Sequence, residues 1–203
     1  MPIDSNRYKP TTSRANLVKK ILYHPLTKGN QHTRYGLENE EPAKKAIQTR
    51  LKKTISLSGL FIHRTLNYLA ASPDGLIGED SILEVTCPSS IKEYTPKKAF
   101  NLGKLSYMEV GNKRGELVLK RNHVFYYQVQ GQLNISEKKY CYFVVWTPKG
   151  FIIDKIHRDE SFFNEKIEPF VTEFYMKSLL PEIIDPRFKR NLPIRTGISN
   201  EAV

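Results

Sequence analysis

Asp74 and Glu84 stand in two short segments whose residue types and spacing suit metal chemistry. Ser72-Pro73-Asp74-Gly75 precedes Leu83-Glu84-Val85-Thr86-Cys87-Pro88, with Gly78-Glu79-Asp80-Ser81 between them. As a four-residue hairpin turn, 78–81 sets Ile77 against Ile82 and Asp74 opposite Val85, which brings the Asp74 carboxylate beside Glu84 at one end of a sheet. Alternation places Ile82, Glu84 and Thr86 on one face and Leu83, Val85 and Cys87 on the other. Two carboxylates held together in a strand-rich core repel each other unless a cation bridges them, and an all-oxygen donor set suits Mg2+ or Mn2+. Two further polar residues fall on apolar helical stripes. Glu40 lies three and seven residues before Ala43 and Ile47, whereas Glu38 and Glu41 turn outward. Gln128 shares a face with Val124, Gly131 and Ile135. Each alone reads as a core polar group satisfied by a cap or by water; with the acid pair they read as one cluster.

Other chemistries lack their residues. The sequence has no Gly-x-Ser-x-Gly, no Walker lysine loop, no Gly-x-Gly-x-x-Gly, no His-Glu-x-x-His and no Cys-x-x-Cys. Its histidines, at 24, 32, 63, 123 and 157, never fall two or four residues apart, so imidazole ligation of a metal is disfavoured.

The elements that must position the cluster follow from periodicity. A short helix begins near Ser13 and stops before Pro25, and residues 34–53 form a longer one, with Leu37, Ala43, Ile47 and Leu51 on one stripe and Glu41 paired to Lys45. The period then changes to strands at 55–62, 68–77 and 82–87. Residues 96–105 read as a short helix, 108–116 as a mobile basic loop, and 123–135 as a helix. Strands at 140–147 and 151–157 are joined by Pro148-Lys149-Gly150, and a helix spans 160–180. Pro181, Pro186 and Pro193 mark an extended, poorly ordered tail. The fold class is therefore α/β, a central mixed sheet of about five strands flanked by helices, with one domain over residues 1–180 and a tail over 181–203.

Composition narrows the partners. The chain has 203 residues, 39% hydrophobic, which is enough for a core, and no apolar run long enough to span a bilayer. With no export signal in view and two unpaired-looking cysteines, Cys87 and Cys141, an intracellular, reducing compartment is expected, cytoplasm or nucleus. A net charge of +11 points to a polyanion, nucleic acid before a membrane surface. The charge is uneven, since residues 1–35 and 92–121 are basic and residues 159–185 acidic. Ordinary solvated faces would give the same runs.

Taken in order, Gly36-x-x-x-Glu40-x-x-Ala43, Ser-Pro-Asp-Gly-Leu, Leu-Glu-Val-x-Cys-Pro and Tyr126-Tyr127-Gln128-Val129-Gln130-Gly131-Gln132-Leu133 resemble the YqaJ viral recombinase family. That family includes phage lambda-type exonucleases of the PD-(D/E)XK nuclease superfamily, and the resemblance runs from about Ser13 to the helix near Leu180. It implies a restriction-endonuclease-like core in which Asp74, Glu84 and the main-chain carbonyl of Val85 bind a divalent metal, Glu40 helps at a second, and Gln128 lines the site. Ser13 matches a family serine at a pocket for the DNA 5′-phosphate, and either Arg7 or Arg14 stands for the arginine that the family places shortly before it. Only twelve residues precede Ser13, and some members carry an N-terminal element there. The resemblance departs from its pattern at Thr86, where the superfamily has lysine. Threonine can hydrogen-bond to water but supplies no charge, and losing one such stabilising group typically costs about 10²–10³ in rate. Lys92, Lys97 and Lys98 are the nearest later candidates to supply it.

The resemblance thus implies a Mg2+- or Mn2+-dependent 5′-to-3′ double-stranded DNA exonuclease of the viral recombination type, acting on duplex ends. Some relatives work with a single-strand annealing protein, and relatives act as monomers or as ring trimers. Two other readings use the same residues. One is an impaired nuclease fold that binds DNA ends without cutting, favoured by Thr86. The other is an unrelated basic α/β binding protein in which the four polar residues are structural.

Overall fold

The computed structural model describes residues 13–24, 31–113 and 115–197. These form two compact units, one within residues 29–160 and one combining 13–24 with 161–197, where the sequence predicts a single domain to residue 180. Among the described residues no helix is long and apolar enough to cross a membrane.

The first unit is built on a five-stranded sheet in the order β1-β4-β5-β8-β9, comprising β1 (Ile55–Ser56), β4 (Gly75–Ile77), β5 (Ser81–Thr86), β8 (Tyr140–Thr147) and β9 (Gly150–His157). Only β5 and β8 run parallel, so the chain between them must cross over, and it does so through α3 (Pro96–Asn101) and α4 (Val124–Ser136). The predicted α/β class and mixed five-stranded sheet are therefore found. Helix α2 (Gln31–Leu51) covers one face: Ala43 and Ile47 pack with Leu83, Val144 and Trp146. Phe125 of α4 meets Phe143 on the other face, 5.8 Å between ring centroids. Since residues alternate along β5, Leu83 serves the α2 side and Glu84 the α4 side.

Local departures have physical causes. Register Ile77↔Ser81, Leu76↔Ile82 and Gly75↔Leu83 leaves a turn of three residues, 78–80, rather than four. Gly78 takes φ +63°, a conformation glycine adopts at no steric cost, and this tighter closure moves Asp74 opposite Glu84 instead of Val85. The run 55–62 breaks into β1 and β2 (Phe61–Ile62), and 68–77 into β3 (Ala70–Ala71) and β4, with β2 and β3 forming a separate pair. The expected mobile loop at 108–116 instead belongs to a hairpin of β6 (Met108–Val110) and β7 (Leu117–Leu119). Its buried Met108, Leu117 and Leu119 alternate as strand residues do, and the Leu119 amide donates to Asp154 Oδ2 of β9 at 2.8 Å.

In the second unit, α1 (Ala15–Tyr23) matches its expected span, but the helix expected over 160–180 is divided. Ile167, at φ −121°, separates α5 (Glu160–Lys166) from α6 (Glu168–Phe174), and helical turns then continue through α7 (Leu180–Ile184). Among the described residues, the segment after Pro181, to residue 197, is anchored rather than extended. Glu182, 1% exposed, accepts from the Tyr23 hydroxyl and the Phe188 amide, and Arg195 reaches the Pro181 and Asp185 carbonyls.

Candidate active site

Three elements of the first unit bring the acids together. Gly75 begins β4 wedged between two strands: a Cβ there would lie 2.6 Å from Ile55 Cγ2 and 3.3 Å from the Ser56 carbonyl. That close fit fixes the residue before it. The Asp74 amide donates to the Leu83 carbonyl at 3.0 Å, and the Val85 amide donates to Asp74 Oδ2 at 2.7 Å, so the Asp74 carboxylate is held against the backbone of β5 beside Glu84.

Glu84 is gripped from α4. Gln128 Nε2 donates to Glu84 Oε1 at 2.5 Å and Gln132 Nε2 to Oε2 at 2.8 Å. Gln128 and Gln132 are one helical turn apart, which lets a single helix face serve both oxygens. Gln132 was not among the residues singled out from the sequence, although its i+4 spacing from Gln128 on a face turned to the sheet was a usable signal. The Gln132 Oε1 atom is buried with no hydrogen-bond partner.

Glu40 comes from α2. As expected, it lies on the inward side while Glu38 and Glu41 are exposed, but its carboxylate is engaged by a cation, Lys44 Nζ, at 2.6 Å. Lys44 also reaches Glu41 at 3.4 Å, so the expected Glu41–Lys45 pair is replaced by a pairing through Lys44. The Lys44 side chain is only 10% exposed. Of the lysines considered as substitutes for a cation at Thr86, Lys98 lies over the Tyr94 ring and Lys97 lies near Gly115 at the hairpin turn. Lys92 is exposed.

The electrostatics bind these residues into one system. Burial pushes the Asp74 carboxyl up to about 6; Glu40 pushes the same way, while the Val85 amide and the Lys44 ammonium oppose it. Burial and then the Asp74 charge push Glu84 up to about 8, against the Gln132 hydrogen bond. Burial raises the Cys87 thiol to about 12, reinforced by Glu40 and Asp74, so it is a poor nucleophile. Carboxyls that resist joint ionisation are what a divalent cation relieves.

The donor set fits such a cation in kind: two carboxylates, a neighbouring backbone carbonyl at Val85 and the buried, unpartnered amide oxygen of Gln132. It is not a closed cage. Among the described residues no three His, Cys, Asp or Glu side chains converge to hold a metal, and Glu40 is paired with Lys44. A hydrated Mg2+ or Mn2+, which keeps several of its own waters, needs no closed cage.

Ser13 and Arg14 belong to the second unit. Ser13 is exposed and its Oγ accepts from the Ala15 amide at 3.3 Å. The Arg14 guanidinium pairs with Glu173 at 3.2 Å, and its backbone amide donates to the Thr196 carbonyl. Arg7 lies outside the described residues.

A mixed five-stranded sheet flanked by helices, with Glu84 on its central strand β5 and Asp74 at the start of the neighbouring β4, is the architecture of a nuclease-like α/β fold. Solved structures that share the fold include two of one exonuclease. LHK-Exo, an alkaline exonuclease from Laribacter hongkongensis, superposes with a TM-score of 0.65 at 22% identity over 88% of this chain and 85% of that one. LHK-Exo in complex with dAMP gives 0.64 at 22% identity over 87% and 83%. At that identity the likeness is one of fold. No curated protein matches the chain. The YqaJ-like viral recombinase domain matches residues 3–139, and the chain belongs to that family.

Proposed function

We propose that the protein is a divalent-metal-dependent deoxyribonuclease that degrades duplex DNA from the 5′ end, an exonuclease of the viral recombination type. One observation carries the reading: Asp74 and Glu84 lie side by side, Glu84 with both oxygens held by glutamine amides and Asp74 tied to the adjoining peptide. Family membership and the exonuclease fold support it.

Asp74, Glu84 and the Val85 carbonyl would hold Mg2+ or Mn2+, as one ion or, if Glu40 leaves Lys44, as two. A bound divalent ion supplies charge to the scissile phosphate and acidifies a bound water. The chain's own groups position everything else. Gln128 and Gln132 fix the rotamer of Glu84, so its carboxylate need not reorganise when charge develops. Thr86, on the same face of β5 as Glu84, offers a hydroxyl to orient water but no positive charge. Ser13 and Arg14 are the proposed contacts to the DNA 5′-phosphate; Arg14 would exchange its Glu173 partner for the phosphate. A single-strand annealing protein is the proposed recombination partner.

The test is degradation of linear duplex labelled at the 5′ or the 3′ end, with Mg2+, Mn2+ or EDTA. Metal-dependent release from the 5′ end is expected, and Asp74→Ala should abolish it with the fold intact. Full activity of Asp74→Ala would sink the assignment. Thr86 favours a second reading, a DNA-end-binding module that does not cut. Silence from this chain but cleavage by Thr86→Lys would mean a metal site lacking its cation, and retained binding to duplex ends would then support this second reading.

A further inference from the structure

We propose that the ammonium of Lys44 occupies the role of a second divalent ion, so that the site takes a single Mg2+ or Mn2+, on Asp74, Glu84 and the Val85 carbonyl. The inference rests on the metal-nuclease reading above and deepens it.

Lys44 is among the few buried charged side chains of the first unit, and it is placed by α2 against the sheet that carries the acids. Its Nζ lies 2.6 Å from Glu40 Oε1 and 3.4 Å from Glu41 Oε1. A lysine so enclosed persists only when its charge is paired, and the partner it pairs with is the acid that would otherwise be free to bind a second ion. The Lys44 charge also acts on Asp74, opposing the burial that pushes that carboxyl up. The charge balance agrees. Glu40, Asp74 and Glu84 bring three negative charges when ionised, Lys44 returns one positive, and one divalent ion closes the remainder, Glu41 being 69% exposed and screened by solvent. A second divalent ion would leave the enclosed cluster with excess positive charge and would have to displace an ammonium at hydrogen-bond distance. The same lysine gives the cluster a permanent cation although position 86 has none.

The experiment is Mn2+ titration of the full chain, counted by the electron paramagnetic resonance of free Mn2+ and by calorimetry, with duplex cleavage measured in parallel. One Mn2+ per chain is expected for the unaltered protein, and Glu40→Gln should still bind one. Lys44→Met, verified by circular dichroism, should bind two, since Glu40 is then released. Two ions on the unaltered protein, loss of an ion in Glu40→Gln, or a folded Lys44→Met that still binds one would each overturn the inference. If Lys44→Met fails to fold, the unaltered protein and Glu40→Gln decide the question alone. Two bound ions with 5′-end cleavage would refute this inference while leaving the nuclease reading standing; no bound Mn2+ and no cleavage would remove both.

Discussion

Glu84 is the residue whose surroundings are most fully specified, and two predictions belong to it. Its Oε2 receives a hydrogen bond from Gln132, which is 8% exposed. Gln132→Leu leaves that oxygen unsatisfied in a buried place, a loss of about 1–3 kcal/mol, with a fall in melting temperature of roughly 2–4 °C per kcal/mol. Differential scanning calorimetry checks it, and an unchanged melting temperature would mean that solvent reaches Glu84. The second prediction concerns pH. Burial pushes Asp74 up to about 6 and Glu84 up to about 8 in the fold, above their ordinary values of 3.8 and 4.5. The metal-free fold therefore holds more protons than the unfolded chain across that interval. The stability these groups contribute is complete below about pH 4 and is lost as pH rises through 6 and then 8. Melting in EDTA should fall across this window, and Mg2+ should restore the loss at the upper end because it replaces the departing protons. A profile that rises with pH would contradict the raised carboxyls.

At the scale of elements, the position of Asp74 depends on how tightly β4 fits between β1 and β5. Gly75→Val puts side-chain atoms where Ile55 and the Ser56 carbonyl already sit, and strain of this kind costs about 1–3 kcal/mol. Cleavage should fall more than stability accounts for, since the displaced residue adjoins Asp74; thermal melting and initial rates on one preparation separate the two effects. This dependence also explains what the sequence made legible. The spans of α1, α4, β8 and β9, the helical face of Glu40 and the shared face of Glu84 and Thr86 follow from periodicity, which a sequence displays directly. The register of β4 on β5 does not, because one residue more or less in the turn depends on Gly78 adopting positive φ, which its identity permits but does not require. Gln132 and Lys44 were missed for a related reason. A polar residue reads as solvated until the packing of α4 or α2 against the sheet decides which of several neighbouring positions faces inward. The β6–β7 hairpin was hidden by its basic, glycine-containing turn, whereas its alternating Met108, Leu117 and Leu119 were the better signal.

For the whole molecule, the net charge of +11 governs encounter with DNA independently of catalysis. Binding to a duplex end in EDTA should persist when cleavage is absent, because the lysine and arginine contacts need no divalent ion. Affinity should fall linearly in logarithmic terms with salt, by a slope of about 0.9 for each phosphate neutralised. The basic segment 92–121 supplies a specific case in α3, where Lys97 and Lys98 are exposed and form no ion pair among those described. If both contact phosphates, Lys97→Gln with Lys98→Gln should reduce the slope by nearly two. The same double substitution should leave Mn2+ affinity unchanged, since neither lysine touches the acid cluster. Fluorescence anisotropy across a salt series measures the slope, and calorimetry measures the metal. An unaltered slope would place the docking surface elsewhere on the chain, whereas a change in metal affinity would mean that α3 reaches the site through a path that the acids, the glutamines and Lys44 do not account for.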